Sequence, residues 1–264
     1  MKIMILNKKL LLLLILLISL LFFILIYFYH PFSFAYELTT NSTIDDDLKN
    51  KISSIIKSDE KIAYLTFDDG PTTKATPKVL DILKEENVKA TFFLIGEQIK
   101  GQEDLVKRIL EEGHSIGLHS MDHKKENLYS SDNNFLKEML DSQKIIEEVT
   151  GEKINILRFP FGSNNDTYHL KESLVNLLHE NNLKIYDWNV DSTDGANPYG
   201  NPCTIVKNAT KNKDKQEVIL LMHCGYINKN STIALPEVIK YYKDNGYTFK
   251  AINENTSEMF HYIN

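Results

Sequence analysis

Short apolar runs alternate with helix-period patterns from about residue 60 to the end of the chain, the order expected of a parallel α/β protein. The runs predict strands over 62–67, 90–95, 115–118, 155–159, 184–188, 218–222 and 247–251. Between them the spacing predicts helices over 76–86, with Pro77 in the first turn, over 103–112, closing at Gly113, and over 134–149, closing at Gly151. Further helices are expected over 170–180, 204–212 and 234–245. Seven strands in this order come close to a barrel, whose active site gathers at the C-terminal ends of the strands.

A different pattern occupies the N-terminus. Residues 10–29 are apolar but for Ser19, with Lys2, Lys8 and Lys9 before them and His30-Pro31 after. About twenty such residues can cross a bilayer as a helix, whereas a secretory signal has a shorter apolar core of roughly 7–15 residues. The preferred reading is a cytoplasmic tail over 1–9 and a retained transmembrane anchor over 10–29, with the rest of the chain outside. Ser33 and Ala35 offer a second reading, cleavage after Ala35 and secretion. Residues 30–58, rich in Asn, Ser, Thr and Asp and carrying a short amphipathic piece at 48–56, read as a linker. The folded domain is then 59–264.

The chain has 30 basic and 36 acidic residues, and three lysines without an acid fall in the first thirty. The remainder carries 27 basic against 36 acidic, a net −9, which argues against nucleic acid as a partner. Cys203 and Cys224 are the only cysteines, and an extracellular compartment would permit a disulfide between them. A Cys nucleophile is not favoured, since Cys224 reads as a small buried residue beside His223.

The chemistry concentrates at the predicted strand ends. Thr66-Phe67-Asp68-Asp69-Gly70-Pro71 places two adjacent carboxylates at the end of an apolar run, where ionised groups need a cation or a metal to receive them. His119 and His123 are four apart, a spacing that on one helical turn points both imidazoles the same way. With one aspartate they would suit a catalytic zinc-like ion. Of the two aspartates, one would bind the metal and the other stay free as a base. Arg158, on an apolar strand, needs a buried anion, and Asp68 is the obvious target. Pro160 and Gly162 around Phe161 suggest a rigid loop whose backbone amide could donate to an oxyanion. His223 ends a very apolar strand, and a histidine there can protonate a leaving group. Asp191 and Asp194 follow the fifth strand. His114, His169, His179 and His261 lack such company and read as structural or solvent-facing. No nucleophile elbow, Walker loop or dinucleotide fingerprint is present.

In this order the motifs resemble the polysaccharide deacetylases that share the NodB homology domain, carbohydrate esterase family 4. Thr66 to Pro71 looks like the family's first motif, His119-Ser120-Met121-Asp122-His123 like the second, and Ala90-Thr91-Phe92-Phe93 like the second strand of these domains. The resemblance implies a distorted (β/α) barrel of about seven strands. It makes Asp68 the general base and gives Asp69, His119 and His123 a divalent metal, most often zinc, with cobalt, manganese or nickel as alternatives. Arg158 would orient Asp68, and the Phe161 amide beside Pro160 would face the oxyanion. Leu221 would line the acetyl methyl pocket, His223 would be the general acid and Asp194 would support the charged network. Two departures stand out: Phe161 where many relatives carry Tyr, and Gly195 where the fourth motif usually has Trp. Trp188, Tyr199 or another loop residue could substitute for that indole. The implied substrate is N-acetylglucosamine in peptidoglycan, with chitin oligomers, acetylated xylan and muramic acid as runners-up. The contrasting reading is a catalytically weak, membrane-anchored glycan-binding protein.

Overall fold

The computed structural model describes residues 60–165, 168–211 and 215–260, which belong to a compact unit spanning Asp59–Asn264. The expected anchor over 10–29, its alternative cleavage site, the linker and His261 lie outside the described residues. Among the described residues no helix is long and apolar enough to cross a membrane.

The elements run β1 (Lys61–Gly70), α1 (Thr76–Glu85), β2 (Ala90–Leu94), α2 (Glu103–Glu111), β3 (Ser115–Leu118), α3 (Lys125–Leu128), α4 (Asp132–Thr150) and β4 (Ile156–Leu157). There follow α5 (Glu172–Glu180), β5 (Lys184–Ile185), β6 (Val190–Asp191), α6 (Pro202–Ala209), β7 (Glu217–His223), α7 (Lys229–Asp244) and β8 (Tyr247–Phe249). The strands form one parallel sheet in the order β5-β4-β3-β2-β1-β7-β6, and β8 pairs with the start of β1. Strands β5 and β6 are opposite edges of that order, yet Ile185 and Val190 are five residues apart. Five extended steps span at most about 17 Å, so the sheet must curl until its edges approach. The parallel α/β architecture expected from the pattern is therefore present, as a curled sheet of eight strands where a distorted barrel of about seven was expected.

Two expectations change. The predicted strand over 184–188 is split, because Tyr186 bridges to Met259 and the chain then crosses to the other edge as β6. The last helix starts at Lys229, earlier than predicted, and carries Pro236 inside it. Proline forfeits one helical hydrogen bond, which the buried face of Leu235, Val238, Ile239 and Tyr242 outweighs.

Alternation along β1 then builds the interior. Leu65 and Phe67 face the larger core under the helices, while Tyr64 joins Phe93, Ile156, Tyr186 and Ile219 in a smaller cluster. Thr66 and Asp68 share the face of Tyr64, so polar groups are stacked above that apolar plug, towards the C-terminal end of the strands.

Candidate active site

Adjacent residues of a regular strand point to opposite faces, which would separate Asp68 from Asp69. The pairing of β1 with β2 slips here: Phe67 faces Phe92 but Gly70 faces Leu94, so β1 carries one extra residue. That bulge, with Asp69 in a left-handed conformation at φ 66°, turns both carboxylates into the same cleft. On the other side of β1 the register holds, and Asp68 pairs with His223 of β7.

The expectation that His119 and His123 lie on one helical turn is corrected by the structure. They sit in the loop after β3, with Ser120 and His123 both left-handed at φ 68° and 58°. Ser120 Oγ accepts the His123 N–H at 2.9 Å, and Glu138 Oε2 of α4 accepts the amides of Met121 and Asp122 at 3.0 and 3.1 Å. Thus a loop, tied from within and from a neighbouring helix, does what a helix was expected to do. His119 is buried, and its Nδ1 donates to Arg158 O at 3.0 Å, leaving the Nε2 lone pair towards the cleft. Burial, then the nearby His123, pushes the His119 imidazole down to about 3, so it stays neutral.

Asp69 Oδ1 is buried without a hydrogen-bond partner and stands 3.6 Å from His119 Nε2 and 3.4 Å from His123 Nε2. Ligands about 2.1 Å from a tetrahedral zinc stand about 3.4 Å apart. An orphaned carboxylate oxygen and two imidazole nitrogens at that spacing fit a divalent metal.

Arg158, fully buried just beyond β4, reaches Asp68 as expected, with Nη1 to Oδ1 at 2.9 Å. Three more of its N–H groups donate to Thr66 Oγ1, Tyr186 O and Asp187 O at 2.6, 2.7 and 3.0 Å. The guanidinium lies 4.2 Å from the centre of the Phe93 ring and 5.7 Å from that of Trp188. So clamped, it fixes one oxygen of Asp68 and leaves Oδ2 free, 3.7 Å from His119 Nε2. Burial pushes the Asp68 carboxyl up, and the charges of Arg158 and His223 pull against it.

Opposite, His223 Nδ1 donates to Asp194 Oδ1 at 2.8 Å. Asp194 is fully buried and also accepts the His223 N–H, Ser231 Oγ and Ser192 Oγ at 2.9, 2.6 and 2.8 Å. Burial alone would keep His223 neutral. The hydrogen bond to Asp194 and the charges of Asp194, Asp68 and Asp69 outweigh it and raise the imidazole to about 9. For Asp194, burial opposes ionisation, and the bonds from His223 and Ser231 still hold its pKa below the usual value.

Asp68, Asp69, His119, His123, Phe161, Leu221 and His223 line one cavity of about 380 Å³. Phe161 has φ 66°, and its N–H makes no backbone hydrogen bond among the described residues. Its ring packs on His123 at 4.6 Å. Pro160 is held from behind by Tyr129 Oη at 2.5 Å, and Ser163 by the carboxylate of Asp187. Trp188 lines the cavity; Tyr199 is exposed and does not. Among the supports of the site, the sequence assigned no role to Thr66, though it opens the first motif, and did not single out Glu138, Asp187 or Ser231. Thr66 alone left a signal, as a hydroxyl in an apolar strand. No disulfide joins the cysteines: Cys203 is exposed, and Cys224 is a buried thiol packed behind the site. Of the remaining histidines, His114 is buried and accepts the Ala90 amide, and His179 pairs with Glu258.

Comparison with known proteins agrees with this geometry. A family model described as polysaccharide deacetylase matches residues 56–186. A peptidoglycan-N-acetylglucosamine deacetylase of Bacillus cereus is 39% identical over 202 residues, 75% of this chain and 71% of its own. The crystal structure of a polysaccharide deacetylase from the same organism superposes with a TM-score of 0.69 at 38% identity, covering 75% of this chain and 95% of that one. The catalytic domain of a peptidoglycan N-acetylglucosamine deacetylase from Eubacterium rectale superposes with a TM-score of 0.70 at 32% identity, over 77% of this chain and 94% of that one. This chain belongs to the polysaccharide deacetylase family.

Proposed function

We propose that the protein is a metal-dependent N-deacetylase that hydrolyses the acetamide of N-acetylglucosamine units in cell-wall peptidoglycan, releasing acetate. One observation carries this reading: Asp68, with a carboxylate oxygen that Arg158 leaves free, and His223, hydrogen-bonded through Nδ1 to Asp194, face one cavity that also holds three residues able to ligate a metal. Hydrolysing an amide requires a base for the attacking water and an acid for the departing amine, and the two walls supply them. The names of the similar proteins support peptidoglycan as the substrate.

A divalent metal, zinc by the donor set, held by Asp69, His119 and His123 would polarise the acetamide carbonyl and acidify a water molecule. Asp68 Oδ2 accepts the proton of the attacking water while Arg158 holds Oδ1, and burial raises this carboxyl above its ordinary value, which makes it a stronger base. The Phe161 N–H donates to the developing oxyanion. Leu221 and Trp188 enclose the acetyl methyl and keep bulk water out. His223, charged through Asp194, gives its Nε2 proton to the amine nitrogen as the carbon–nitrogen bond breaks. The products are acetate and a glucosamine unit.

The apolar sequence over 10–29 and the lysines before it support an activity on the outer side of a membrane. Protease accessibility of the domain on intact cells, against a sealed cytoplasmic control, tests that arrangement. The function itself is tested by acetate release from purified peptidoglycan and from N-acetylglucosamine oligomers, with and without chelator and added zinc. Chelator-sensitive release from peptidoglycan is expected. Release only from oligomers or acetylated xylan would keep the chemistry and move the substrate. No release from any of them would overturn the enzymatic reading in favour of a glycan-binding protein.

A further inference from the structure

Two cavities meet at the metal site. The catalytic one, about 380 Å³, adjoins another of about 370 Å³ that opens beneath Tyr226 and Ile227. Asp69, His123 and Gly195 line both. Gly195 therefore stands where a wall between them would be, and its lack of a side chain has a close reason. A Cβ at Gly195 would fall 2.4 Å from Cε1 and 2.6 Å from Nε2 of His223, so the imidazole rests on bare backbone. Gly225 repeats the arrangement across the second cavity, where a Cβ would fall 2.9 Å from Asn228 Oδ1 and 3.5 Å from Asp69 Cβ. At the lip, Tyr226 and Ile227 are 50% and 52% exposed, although both are large and apolar. These two side chains are placed to touch a ligand that enters the cavity, and a tyrosine ring offers a pyranose an apolar face with a polar edge.

We propose that Gly195 is a specificity-determining position: its bare backbone joins the two cavities into one cleft, so that the glycan binds as an oligomer with the sugar next to the reacting one seated on Tyr226. This rests on the deacetylase reading and extends it from the reacting unit to its neighbour. The two volumes are nearly equal, so a cleft that admits one sugar beside the metal has room for a second beyond it. A bulky residue at position 195 would close the passage and, in this structure, require the His223 imidazole to shift.

The experiment measures acetate release by the zinc-loaded full chain on N-acetylglucosamine oligomers from dimer to hexamer. It compares the natural sequence with Tyr226→Ala and Gly195→Trp, and circular dichroism checks that the variants fold. The natural chain should show kcat/KM rising with oligomer length. Tyr226→Ala should lower the pentamer-to-dimer ratio of kcat/KM by about threefold to tenfold through KM, the range for one aromatic contact. Gly195→Trp should abolish the length dependence and also lower kcat. A flat length profile in the natural chain, or profiles in both variants matching it, would overturn the proposal while leaving the deacetylase reading intact. Absence of acetate from every oligomer and from peptidoglycan would instead remove the deacetylase reading, and this inference with it.

Discussion

His119, buried on the wall built by β3 and its loop, and His223, partly buried on the wall built by β6 and β7, are driven by the protein in opposite directions. Burial disfavours charge on each. What differs is the acceptor behind Nδ1: a backbone carbonyl, Arg158 O, for His119, and the carboxylate of Asp194 for His223. A carbonyl orients an imidazole without charging it, so His119 stays a neutral ligand donor. A buried carboxylate favours a positive partner, so its hydrogen bond and charge raise His223 to about 9. The cleft thus acquires an electron-pair donor and a proton donor from the same residue type.

Asp68 lies between these walls, and replacing it gives the largest effect. Asp68→Asn keeps the shape and the Arg158 contact but cannot take a proton, so kcat should fall by about 10²–10⁴-fold. Zinc titration of the variant should show the metal affinity little changed, because Asp69 supplies the carboxylate ligand of the triad. If the metal were lost together with the rate, the division between the two aspartates would fail.

The opposite titrations make a second test in the metal-free protein. His223 sits at about 9 when folded and 6.5 as its ordinary value, so its contribution to stability is complete below about pH 6.5 and is lost as pH rises through 9. His119 has the reverse sign: the unfolded chain takes up a proton below pH 6.5 that the folded site refuses down to about 3. Stability should therefore fall on both sides of a neutral maximum. His114, at the other end of the barrel and pushed to about 4 by burial, adds to the acid side. The His223 contribution is on the order of 3 kcal/mol. Urea unfolding from pH 5 to 10 should show the alkaline fall reduced in His223→Gln and unchanged in His114→Gln. An NMR titration should move the His223 signal from about 9 towards 6.5 in Asp194→Asn.

Much of this was legible in the chain because charge in an apolar run is costly and therefore informative. Asp68, Asp69, Arg158 and His223 each interrupt a strand pattern, and the structure brings all four together. The order of strands and helices was legible for the same reason, through periodicity. The two-residue β6 was not, since Val190 and Asp191 are too short to carry a period and are strand only because β7 lies alongside. Nor was the loop that pairs His119 with His123. Four-residue spacing suits a helix, and nothing in Ser120 announces its left-handed backbone. Asp187 and Ser231 were illegible because their partners are distant in sequence.

Glu138 is the sharpest case of that blindness and gives the last and smallest test. In sequence it is one more acid on the polar side of α4, yet its Oε2 accepts both amides that keep the His119–His123 loop in its unusual path. Removing it should loosen one wall only. Glu138→Ala is expected to weaken zinc binding by about 10–100-fold, the usual cost of losing a group that orients metal ligands. The cost should be paired with a rate that recovers at saturating zinc. The His223 titration in the same metal-free variant should stay at its natural value, because Asp194, Ser192 and Ser231 are untouched. A Glu138→Ala protein that binds zinc normally would show that Ser120 alone secures the loop, while one that also shifts His223 would show that the two walls are mechanically one.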